Sequence, residues 1–108
     1  MTVKKLADTI GCRVLSMPEG NRETDGVYIG DLLSWVMGRA KCGNVWITIM
    51  SNINTIAVAT LADVSCIILA EGVTLDAEVL DTAAAKGVNV LSSDLSAYEI
   101  AVKISGIL

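Results

Sequence analysis

The chain has 108 residues, enough for one core of ordinary size and too few for two. Hydrophobic residues make up 53% of it and charged residues 19%, which excludes a disordered tail. The formal net charge is -4 with no clustered cations, which argues against a nucleic-acid partner or an anionic membrane surface. The absence of histidine removes the commonest general base and metal ligand.

In chain order, Thr2 is placed to cap a helix whose Val3, Leu6, Ala7 and Ile10 follow helical spacing, with Gly11 ending it. Cys12 to Leu15 reads as a short strand, and residues 16–21 as a turn-rich loop holding the single proline. Gly26 to Gly30 reads as a strand. Asp31 is expected to cap the next helix, whose Leu33, Val36, Met37 and Ala40 form one apolar stripe. A regular pattern follows. Val45 to Ile49 is a strand, Ile53 to Leu61 a helix and Cys66 to Leu69 a strand apolar throughout, as expected where both faces are covered. Thr74 is expected to cap a fourth helix that closes at Lys86 and Gly87, and Val88 to Leu91 is the last strand. Ser92 or Ser93 is expected to cap a final helix with Ala97, Ile100, Ala101, Ile104 and Leu108 inward. Strands alternating with helices over 45–108 imply right-handed crossovers and parallel pairing. The expected fold is therefore α/β: a single-domain layered sandwich spanning 1–108, with a mostly parallel sheet of about five strands flanked by helices.

Cys12, Cys42 and Cys66 are odd in number and widely spaced, with no Cys-x-x-Cys pair. They are expected to be reduced and buried, Cys66 above all, and no metal site is expected. Lys4 and Lys5 lead into an amphipathic segment rather than an apolar leader, and the longest apolar runs fall far short of a membrane span. A cytoplasmic location is expected.

The carboxyl ends of parallel strands are where ligands of open α/β sheets bind. Asn52, Asn54, Glu71, Ser92 and Ser93 fall there, with Asp31 and Arg22 as further candidates and Arg22 as the natural phosphate partner. The same residue types are ordinary caps and turn formers. No catalytic constellation is visible: a serine nucleophile would lack a histidine base, and the Gly26-x-x-x-Gly30 spacing lacks the lysine of a phosphate loop. Association has better support. The helix from Ile53 is apolar nearly all round, so Ile56, Val58 and Ala59 are candidates for an interface. Trp35 lies outside the stripe of its own helix and joins them. A homodimer is the expectation.

The run from Asn21 through Asp25-Gly26-Val27-Tyr28-Ile29-Gly30-Asp31 to Met37 resembles the signature of the DRTGG domain family. Thr2 to Leu6, the Val45-Trp46-Ile47-Thr48 strand, Asn52-x-Asn54 and Leu91-Ser92-Ser93 also look like that family. Asn21 stands where the family often has Asp, and Val27 stands where one of its glycines falls. The resemblance implies a fold similar to the N-terminal domain of HPr kinase/phosphorylase. It also implies a regulatory or dimerising role without catalysis, no cofactor, and a stand-alone module acting on a metabolic enzyme or kinase. The alternative it leaves open is a sensor that binds a nucleotide or phosphorylated metabolite at the carboxyl edge. The partner is then an unknown protein or a small metabolite.

Overall fold

In the computed structural model, which describes residues 1–108, the Thr2 hydroxyl accepts the Lys5 backbone N–H and so starts α1 (Val3–Ile10). Gly11 ends this helix with φ 73°, a conformation that costs glycine nothing. Then follow β1 (Arg13–Ser16), β2 (Val27–Ile29), α2 (Leu33–Arg39), β3 (Val45–Thr48), α3 (Ile53–Ala62), β4 (Cys66–Leu69), α4 (Ala77–Ala85), β5 (Val90–Ser92) and α5 (Ala97–Ser105). All five strands join one sheet in the order β1-β5-β4-β3-β2. Pairing is parallel except at β1, which runs antiparallel to β5. The α/β fold with a mostly parallel five-stranded sheet is as expected.

Alternation along the strands builds two cores. Val45, Ile47, Cys66, Ile68 and Leu91 face α1 and α5. Trp46, Ile67, Leu69 and Val90 face α2, α3 and α4. β3 and β4 are buried at every position, which explains their continuous apolar sequences. Trp46 is wholly enclosed, and its indole N–H donates to the Gly30 carbonyl at 2.8 Å, so its one polar group is satisfied. No helix is long and apolar enough to cross a membrane.

Several boundaries differ from the sequence reading. β1 and β2 are neighbours in sequence but occupy opposite edges of the sheet. β5 begins at Val90, because Asn89 is held before the strand: its amide donates to the Glu19 and Ser65 carbonyls and accepts the Glu19 N–H. Neither Ser92 nor Ser93 caps α5. Ser96 does so, in a reciprocal pair with Glu99. Asp76, not Thr74, precedes α4, and its side chain makes no capping bond. Asp31 does not cap α2; its carboxylate accepts the Thr48 hydroxyl at 2.8 Å and the Ile49 N–H at 3.1 Å. The positive φ near the altered glycine position belongs to Gly26, at 73°, and Val27 is ordinary strand.

Candidate functional site

The carboxyl ends of β2 to β5 lead into Asp31, Ser51 to Asn54, Glu71-Gly72 and Ser93-Asp94. Asn52 caps α3 by accepting the Thr55 N–H at 3.2 Å, and Asn54 is exposed on the first turn. Glu71 and Gly72 both have positive φ, and this tight turn sends their N–H groups to the carbonyls of Leu95 and Ser93. The Glu71 side chain stays in solvent. Asp31, Asn52, Asn54 and Glu71 thus share the edge as accessible groups.

Three of the expected residues are not available there. Ser92 and Ser93 are buried. The Ser92 hydroxyl donates to the Val73 carbonyl and accepts from Arg13, while Ser93 accepts the Leu95 N–H. Arg22 lies at the opposite, amino edge of the sheet. Its guanidinium meets the Asp63 carboxylate at 2.8 Å and the Asp63 carbonyl at 2.7 Å.

The Cys42 thiol donates to that same Asp63 carboxylate at 3.1 Å. The hydrogen bonds from Cys42 and then Arg22 hold the Asp63 carboxyl below its ordinary value. The bond to Asp63 pushes the exposed Cys42 thiol up, away from the thiolate that a nucleophile needs. Burial pushes Cys66 up to about 12, whereas Cys42 was expected to be buried and is not.

An open cleft of about 420 Å³ does lie at the carboxyl edge, between Ser51, Asn52, Ile53 and the start of α4 at Asp76, Glu78 and Val79. Its charged side chains are both carboxylates. The sequence reading did not include these α4 acids as lining. It also missed Arg13, which reaches Ser92 at 3.2 Å and Asp94 at 2.9 Å. No local signal marks that contact, since it depends on β1 pairing with β5. No group of three or more Cys, Asp or Glu side chains is arranged to hold a metal ion.

The interface candidates divide as well. Ile56, Val58 and Ala59 are buried in the chain's own core, against the sheet and the neighbouring helices, so they are not an outer face. The outward stripe of α3 is Ile53, Ala57 and Leu61, with Leu61 70% exposed. Trp35 points out from α2 as expected, 53% exposed, with the Arg39 guanidinium 3.7 Å from its ring centre.

No curated protein matches the chain closely enough to be a relative. Among solved structures it is similar to the CBS and DRTGG domains of the regulatory region of Clostridium perfringens pyrophosphatase, complexed with the activator diadenosine tetraphosphate. The TM-score is 0.74 at 15% identity, over 95% of this chain and 45% of that one, so the likeness concerns the fold and the chain spans less than half of that structure. The family model of the DRTGG domain matches residues 5–107, which takes in every helix and strand described above apart from the first two residues of α1. With the signature at 21–37 inside that match, the chain belongs to the DRTGG domain family.

Proposed function

We propose that this chain is a non-catalytic regulatory module, one DRTGG unit that forms a homodimer and acts on a metabolic enzyme or kinase. The observation that carries the reading is α3. Its inner side packs the core through Ile56, Val58 and Ala59, and its outer side presents Ile53, Ala57 and Leu61 beside the α2 surface at Trp35. A surface helix normally turns a polar face to water. A second copy covering this helical layer removes those side chains from solvent, and two-fold pairing of like patches is the commonest closed assembly. Light scattering at tens of micromolar should give the mass of a dimer, and Leu61→Glu with Trp35→Glu should give a monomer of unchanged circular dichroism. A monomeric wild type rules this assembly out.

A metabolite sensor is the second reading. It is supported by the cleft at Asn52 and by the nucleotide activator bound in the similar pyrophosphatase region. It ranks second because Asp76 and Glu78 line that cleft without a cation, which disfavours a phosphate there. A thermal-shift panel of adenine and guanine nucleotides decides it: a rise of several degrees that Asn52→Ala abolishes favours the sensor.

A further inference from the structure

The two faces of the sheet are covered unequally. Three helices lie on one face and two on the other. Val27 and Ile29 pair in register with Val45 and Ile47, so they sit on the two-helix face, but α1 and α5 do not reach over them. They remain 37% and 50% exposed. Between them and α5 lies an open apolar cleft of about 520 Å³, walled by Ala101, Ile104 and Leu108.

The strand edge beside this cleft is open too. β2 is the last strand of the sheet. Gly26 and Gly30 bond inward, the Gly26 carbonyl accepting Val45 N–H and the Gly30 N–H donating to Ile47. By the alternation of a parallel ladder, the N–H and C=O of Val27 and Ile29 point away from β3, toward solvent. Exposed edges are usually blunted by a charge, a proline or a bulge. The other edge, β1, has both a charge and a bulge: Arg13, and a register break between Val14 and Ser16. The Val-Tyr-Ile of β2 has none.

Charge selects the occupant. Asp25 and Asp31 bracket β2, and neither has a cationic partner; the chain's three ion pairs use Glu23, Asp63 and Asp94. Antiparallel pairing with a second copy, centred on Tyr28, would set Val27 against Ile29 and bring Asp25 of one chain opposite Asp31 of the other. Like charges across a ladder oppose pairing. The same two carboxylates attract a strand with basic ends.

We propose that the β2 edge receives an extended segment of another protein as an added strand, apolar at alternate positions and flanked by lysine or arginine. The outward backbone groups of Val27 and Ile29 supply the ladder bonds, and the cleft under α5 takes the side chains on its face. This surface is separate from the helical layer read as the dimer face.

The probe is a blocked, dye-labelled peptide of alternating valine and threonine with lysines at both ends, and its partner is the full chain. Anisotropy should show binding that weakens with salt, and amide exchange at Val27 and Ile29 should slow at least tenfold on saturation. The same peptide with glutamates at its ends should bind at least tenfold more weakly. Ile29→Lys, at an exposed position, should cut affinity at least tenfold with unchanged circular dichroism, while Leu61→Glu leaves it intact. Unchanged exchange at Val27 and Ile29, or equal affinity for both peptides, overturns the proposal. So does a dimer that Ile29→Lys dissolves, which would assign the edge to a second copy.

Discussion

Asn89 shows how one side chain sets a boundary that sequence pattern places elsewhere. The run Val88 to Leu91 reads as strand, yet the buried Asn89 amide spends its hydrogen bonds on Glu19 and Ser65, tying the loop before β2 to the start of β4 and β5. Replacing it with alanine leaves the buried Ser65 carbonyl without that donor and frees the loop. Asn89→Ala should cost about 3 kcal/mol and lower the midpoint of thermal unfolding by upwards of ~10 °C in a chain of this size. A loss under about 1 kcal/mol would mean that the loop is held by other contacts. The same ambiguity affects the polar residues expected as caps or ligands. Asp31, Ser92 and Ser93 have the chemistry of caps and ligands, but in the fold they close tertiary hydrogen bonds at Thr48, Val73 and Leu95. Residue type declares that a group will hydrogen-bond; it does not declare with whom.

At the scale of elements, what was legible is what is local. The helical spacing of Val3, Leu6, Ala7 and Ile10, and the apolar blocks of β3 and β4, located those elements within a residue or two. The parallel order of β3, β4 and β5 followed from short crossovers with a fixed hand. The placement of β1 and β2 on opposite edges was not legible, because pairing Arg13 with Ser92 joins the two ends of the chain, with no local pattern to signal it. The Arg22 assignment failed for the same reason: its position depends on which edge the loop before β2 reaches. The α5 cap lay within reach of sequence, since Ser96-x-x-Glu99 is a capping box, but Ser92 and Ser93 stood nearer the strand and competed for the role. Ser96→Ala removes the acceptor for the Glu99 N–H and should cost about 1 kcal/mol. A calorimetric midpoint lower by roughly 4–8 °C would agree. An unchanged midpoint would show that α5 is held by Ile100 and Ile104 alone.

For the whole molecule, two charged clamps hold the ends of the sheet. Arg22 meets Asp63 at the amino edge, and Arg13 meets Asp94 at the carboxyl edge. Each carboxyl is held below its ordinary value of 3.8, Asp63 by the bonds from Cys42 and Arg22, Asp94 by the bond from Arg13. A carboxyl whose folded value is lowered binds fewer protons folded than unfolded at acid pH. Its contribution is therefore complete above 3.8 and fades as pH falls through the lower folded value. Both pairs face water, so each contribution is small and screened by salt. Stability should be flat from neutral pH to about 5 and decline below about 4. In Asp63→Asn and Asp94→Asn that decline should be shallower, because the group that takes up the proton is gone. Urea midpoints measured across pH 3–7 test this, and equal slopes in wild type and both variants would show that other carboxyls drive acid unfolding. The acid limb is best followed at low protein concentration. The net charge of -4 reaches zero near pH 4.5, and the exposed Ile29 at the β2 edge, outside the helical layer proposed to pair, then loses the repulsion that keeps assembled molecules apart. Light scattering should therefore rise near pH 4.5, above the range where unfolding begins, and Ile29→Lys, which removes the apolar side chain and adds a positive charge, should suppress it. A rise only once the chain unfolds would assign it to the unfolded state and not to this surface.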